Sequence, residues 1–291
     1  MRREILLVKL KTVLKGWIYR VLLLRNLFIF LYKVNKCRPW GIGYSFYKFT
    51  YIKNVVEKQL HDFRKGTLPA GYGTGMDERV VEYPWVFSRM KKEEKVILDA
   101  GSSLNHWDIL SLSCLQERTI YLTTLFYEGR YNRKNVIYRY EDLRKLSFPN
   151  EYFDAAVCIS TLEHVGFDNT FLYGTDERKK ENDSSAYLQA VQELKRVLKK
   201  GGGLYLTMPF GAYKNHQWFQ VFNAEMVDRL IQSFAPSVFK EIYFKYEHKQ
   251  WNYSDRLSCA QGRFFDIHAE SQIRDDYLAA SESVVCLEMV K

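Results

Sequence analysis

The chain has 291 residues, 47% hydrophobic and 26% charged, ordinary for a globular protein and enough for one large α/β domain plus an extension. Its five cysteines (Cys37, Cys114, Cys158, Cys259, Cys286) form no Cys-x-x-Cys pair and no zinc-spaced Cys/His cluster, which argues against a disulfide framework and for a reducing, cytoplasmic setting. The net charge of +9 lies wholly in residues 1–40, where ten Lys or Arg face Glu4 alone; the 33 bases and 33 acids that follow give no net attraction to nucleic acid, so no such partner is expected.

Residues 1–40 form a basic, apolar arm with helical character. Lys15, Arg20 and Arg25 interrupt it, and the longest charge-free run, Asn26–Tyr32, is far short of the roughly 20 apolar residues that span a bilayer. No small-residue cleavage site follows, so a secretory signal is not expected. Two readings stay open. The arm lies in an anionic membrane interface, or it packs on the domain or a second subunit with its bases in water.

Residues 41–81 read as a connector, with glycine-marked loops around a helix over 51–65. From residue 82 strands and helices alternate through residue 291. Strands are expected at 95–100, 119–124, 135–140, 153–160 and 203–210, with helices near 105–115, over 184–199 and over 223–234. Apolar strands so spaced predict a parallel sheet covered on both faces. The stretch 239–251 and the terminal 283–291 read as two more strands, an antiparallel finish at one edge.

In such a sheet, ligands bind beyond the carboxyl ends of the strands. Asp99, Gly101, Ser102, Ser103 and Asn105 follow the first strand, in "VILDAGSSLNHW". Asp142 and Leu143 follow the third, and Ser160, Thr161, Glu163 and His164 follow the fourth. The sequence "DLRKLSFPNEYFDAAVCISTLEHV" (142–165), followed by "AVQELKRVLKKGGGLYLTMP" (190–209), is the most specific signal in the chain.

On these residues the chain resembles the class I S-adenosylmethionine-dependent methyltransferases, over about residues 82–211. The resemblance implies a doubly wound, mostly parallel, seven-stranded Rossmann-like sheet with S-adenosylmethionine as cofactor. It assigns Asp142 and Leu143 to the adenine, small residues near Ser160 and Thr161 to the methionine portion, and the loop from Asp99 to Asn105 to the cofactor as a whole. There are departures. Ser103 stands where a second glycine is usual, Lys200 replaces a proline, and no acid ends the second strand to grip the ribose hydroxyls, a loss of about 1.5–3 kcal/mol for a charge-assisted hydrogen bond. A serine fits the loop if its φ is negative, and its hydroxyl or Asn105 could then bond the cofactor. The 11 residues from Leu125 to Asn135 are too few for the usual full helix.

The expected reaction is O-methylation of a small-molecule, sugar or lipid-linked acceptor, with His164 or His216 as proton acceptor. The insertion 166–185, with Tyr173, Trp218 and Phe219, is expected to wall the acceptor. Glu163 beside His164 leaves a metal open. The competing reading is an inactive methyltransferase-fold scaffold; the acceptor's identity and the oligomeric state are left open by the sequence.

Overall fold

The computed structural model describes residues 22–170, 180–270 and 272–291. Four helices come first: α1 (Leu22–Val34), α2 (Tyr44–Lys58), α3 (Leu60–Lys65) and α4 (Arg79–Arg89). The helix expected over 51–65 thus starts at Tyr44 and breaks at Gln59. The sheet then begins with β1 (Val96–Ala100), the short helix α5 (Trp107–Leu110), β2 (Thr119–Thr124), β3 (Val136–Tyr140) and β4 (Phe153–Ile159). It continues through α6 (Tyr187–Val197), β5 (Leu198–Pro209), the ribbon β6 (Lys214–Asn215) and β7 (Gln220–Val221), α7 (Ala224–Phe234), β8 (Val238–Glu247), β9 (Gln250–Ser254), α8 (Arg256–Cys259) and β10 (Ser283–Val290).

The main sheet runs β3-β2-β1-β4-β5-β10-β8-β9. The first five strands are parallel, and β10, β8 and β9 add antiparallel. It therefore has eight strands where seven were expected. The extra strand arises because the stretch after Val238 folds into a hairpin on His248 and Lys249, both with positive φ (53° and 62°), the twist a two-residue hairpin turn requires.

Strand β1 sits where the order reverses, between β2 and β4, so the loops leaving β1 and β4 face each other at the switch point. Its alternation divides the core. Ile97 points into a cluster with Tyr32, Ile52, Phe63 and Trp85 from the N-terminal helices, while Leu98 points to the other face, among Val191, Leu194 and Leu230 from α6 and α7. Residues 44–65 thus belong to the core of one face. No helix follows β2 before β3; Tyr131 and Tyr138 pack there instead.

Local chemistry explains the ends. Asn223 caps α7 by accepting from the Met226 amide at 3.0 Å. The apolar strip Met226, Val227, Leu230 and Phe234 turns inward.

Candidate functional site

The loop after β1 is shaped from inside by Asp99, which is fully buried. Its carboxylate accepts from the Ser103 amide (3.1 Å), the Ser103 hydroxyl (2.8 Å) and the Leu104 amide (2.8 Å). Burial pushes its pKa up to about 7 against the pull of those donors. Ser103 is not in the left-handed region; Ser102 is, at φ 63°. The serine at the usual glycine position therefore costs no backbone strain. Its hydroxyl turns in toward Asp99, and Asn105 is spent on the Gly129 carbonyl (3.2 Å) and the Tyr138 hydroxyl (3.0 Å). Neither residue is in the lining of the two cavities described below, although both were expected to bond a cofactor.

Gly101 is required for a reason the sequence did not reveal. At φ 112°, a Cβ there would fall 2.1 Å from Thr161 Oγ1, so the loops of β1 and β4 touch only because it is absent.

A first cavity opens over this contact, lined by Gly101, Thr124, Asp142, Leu143, Ser160 and Thr161, with Leu125 and Val165 as apolar walls. Its polar groups and apolar walls suit an adenosyl group, and Ser102, next to Gly101 in the chain, holds a buried hydroxyl with no partner among the described residues. Asp142, the expected adenine acceptor, is already engaged. Arg144 gives it its backbone amide (2.8 Å), Nε (3.0 Å) and Nη2 (2.6 Å), and bridges to Glu181 at 2.5 Å. Burial would raise the Asp142 pKa, but the Arg144 contacts outweigh it and hold the carboxyl below its ordinary value. The β2 end also carries more than the sequence suggested. Thr124 Oγ1 donates to Glu128 Oε1 at 2.9 Å, drawing a carboxylate from four residues downstream back to the strand tip.

Ser160 follows β4 with φ 38°, a strained conformation for a serine. It is held by its hydroxyl, which donates to Glu82 Oε1 at 2.6 Å, and Arg79 Nη1 donates both to Glu82 (3.2 Å) and to the Ile159 carbonyl (3.1 Å). Helix α4 thus pins the tip of β4.

Ser160 and His164 also line a second cavity, of about 240 Å³, below the roughly 300–1,000 Å³ of drug-sized sites. Its wall holds Trp40, Lys48, Arg79, Glu163, Trp218 and Phe219 among others. His164 Nδ1 lies 3.0 Å from the Trp218 carbonyl oxygen. That oxygen only accepts, so Nδ1 carries the proton and Nε2 the lone pair. Burial lowers the His164 pKa to about 4, with the Trp218 carbonyl opposing and Arg79 assisting.

His216 does not line either cavity. It stacks on Phe219 with ring centroids 4.3 Å apart and lies 3.5 Å from Asp266, so it backs the wall from outside. Of the two histidines, the structure brings only His164 to the meeting point. Tyr173 lies outside the described residues; Trp218 and Phe219 line the second cavity. Trp40, Lys48, Asp77, Glu78, Arg79 and Glu82 were missed. The available signal was a run of acids and an arginine, "DERVVE", entering an otherwise apolar helix. Among the described residues, no group of three or more His, Cys, Asp or Glu is placed to hold a metal ion.

Residues 124–206 match the family described as Methyltransferase domain. No curated protein matches the chain. Among solved structures, the chain is similar to 1,6-didemethyltoxoflavin-N1-methyltransferase of Burkholderia thailandensis, bound to 1,6-didemethyltoxoflavin and S-adenosylhomocysteine (13% identity, 68% of this chain and 72% of that one, TM-score 0.41). It is also similar to the YcgJ protein of Bacillus subtilis (12%, 71% and 95%, 0.45) and to a SAM-dependent methyltransferase of Archaeoglobus fulgidus (12%, 68% and 87%, 0.39). Likeness at that level says nothing of substrate. The matched segment runs from the tip of β2 through Asp142, Ser160 and His164 to β5, and so contains most of the first cavity's lining.

Proposed function

We propose that the protein transfers a methyl group to an oxygen of a small polar acceptor, a sugar-like or lipid-linked hydroxyl seated in the second cavity. The observation that carries this reading is that Ser160 and His164 line both cavities. A group held in the first can there meet a group held in the second. S-adenosylmethionine, when bound, supplies an electrophilic methyl carried on a sulfonium. The chain's own part is to align and to take a proton. His164 Nε2 offers a lone pair fixed in direction by the Nδ1 bond to Trp218, and the strained Ser160 fixes the floor between the two sites. Leu143, Asp142 and Thr124 would hold the adenosyl portion, with Glu128 standing in at the ribose.

The same proposal places the protein at an anionic membrane surface. No helix among the described residues is long and apolar enough to cross a membrane. Yet α1 exposes Leu23 (83%), Leu27 (50%), Phe30 (60%), Leu31 and Val34 at helical spacing, with Lys33, Lys36 and Arg38 near its end. Arg25 turns the other way, to Asp108 at 2.8 Å, and so does not interrupt that stripe.

Calorimetric titration with S-adenosylhomocysteine tests the first cavity. No detectable binding at millimolar ligand would remove the reading.

A further inference from the structure

The wall of the second cavity holds more carboxyl groups than Lys or Arg side chains. Lys48 is paired with Asp77 at 2.5 Å and Arg79 with Glu82 at 3.2 Å. Three further acids on the wall, Glu78, Glu163 and Asp266, have no Lys or Arg ion pair among the described residues. Glu78 accepts from the Ser281 amide (3.0 Å), and Asp266 accepts from the His268 amide (2.9 Å) and lies near His216. Glu163 is the exception. It is 2% exposed, and its Oε2 has no hydrogen-bond partner among the described residues. A buried carboxyl oxygen left without a partner is unfavourable unless a ligand completes it.

The rest of the wall is aromatic. Trp40, Trp218, Phe219, Phe264 and Phe265 surround the same space. Ring faces attract an organic cation and have no such preference for a neutral hydroxyl. Carboxyl groups and ring faces together favour a positively charged group over a neutral one of the same shape.

We infer that the acceptor carries a protonated amino group, which the Glu163 carboxylate and the aromatic wall bind, while the acceptor's hydroxyl faces His164. The inference rests on the methyl-transfer reading and narrows its acceptor to amino sugars, amino alcohols and other hydroxyl-bearing amines of that size. Burial pushes the Glu163 carboxyl up, with Glu82 and Glu78 adding to the push and Arg79 opposing. A bound cation relieves that repulsion; a neutral ligand does not.

The test uses matched probes on the full chain: glucosamine against glucose, and tyramine against 4-ethylphenol, followed through tryptophan fluorescence with S-adenosylhomocysteine present. The amine of at least one pair should bind tenfold or more tightly than its neutral partner. Glu163→Gln, of the same shape, should reduce that preference to threefold or less, and Glu78→Gln should reduce it part way. Equal or tighter binding of both neutral partners, no binding by either amine, or an amine preference that survives Glu163→Gln overturns the inference. A separate S-adenosylhomocysteine titration distinguishes the two failures. If it alone fails, methyl transfer falls and the amine site stands.

Discussion

His164 Nδ1 and the Trp218 carbonyl oxygen, 3.0 Å apart, decide which histidine nitrogen faces the meeting of the two cavities. The Nδ1 proton is committed to the wall, so Nε2 is left with its lone pair. In the proposed reaction, proton acceptance and the shape of the pocket therefore depend on one ring.

The first prediction concerns that ring. His164→Gln should lower turnover by about 100-fold and leave S-adenosylhomocysteine affinity within about twofold, whereas His216→Ala should keep most of the activity. With its pKa lowered to about 4 by burial, His164 stays neutral through ordinary pH, so the acid limb of turnover should fall near pH 4 and not near 6.5. The unfolded chain binds the proton more readily between these values. Stability from His164 is thus full above about pH 6.5 and lost as pH falls toward 4. Thermal melts of wild type and His164→Gln over that range check the sign: the variant should lose less.

Asp142 and Arg144 yield a second prediction. Arg144 occupies most of the acceptor capacity of the carboxylate on which the adenine amino group was expected to sit. Asp142→Ala should weaken S-adenosylhomocysteine at least fivefold, and Arg144→Ala should tighten it by freeing the acceptor. Weaker binding in Arg144→Ala would assign Arg144 itself to the cofactor.

Gly101 and Thr161 predict a backbone effect. Gly101→Ala combines a φ of 112° with a 2.1 Å clash and should lower the melting temperature by roughly 4–8 °C. Adding Thr161→Ala removes two of the three clashing atoms and should restore part of the loss; no rescue at all would place the cost in φ alone.

The membrane proposal is tested on the exposed stripe of α1. Full-length protein should sediment with vesicles containing anionic lipid, less so as salt rises. Leu27→Glu with Phe30→Glu should abolish sedimentation without changing the fold, since both side chains are in water. If the double variant sediments as wild type does, the arm is a packing or oligomer helix.

The parallel strands and the residues at their carboxyl ends were legible because burial on both faces leaves unbroken apolar runs, and because Asp142 and Ser160 keep fixed offsets from the strand at Phe153–Ile159. The eighth strand was hidden because His248 and Lys249 make a hairpin turn without the glycine or asparagine that usually marks one. The role of Ser103 could not be read either, since it depends on which way a hydroxyl turns. Arg144 lay in plain view, two residues past Asp142. Its grip on Asp142 and Glu181 is a side-chain choice that no periodicity records. The acceptor wall was the least legible part, because Trp40, Lys48 and Arg79 come from the stretch that reads as connector and reach the cavity only through the packing of α2 and α4.

Trp40 stands at the end of the arm and also on the wall of the second cavity, its indole N–H donating to the Ala279 carbonyl at 2.7 Å. The greasy, basic segment that an experimenter would trim for solubility is thus joined to the cavity proposed for the acceptor. A protein cut just before Gly41 would keep its cofactor loop and His164 but lose one side of the second cavity. Its silence in an assay would look like failed chemistry when the fault was a missing wall.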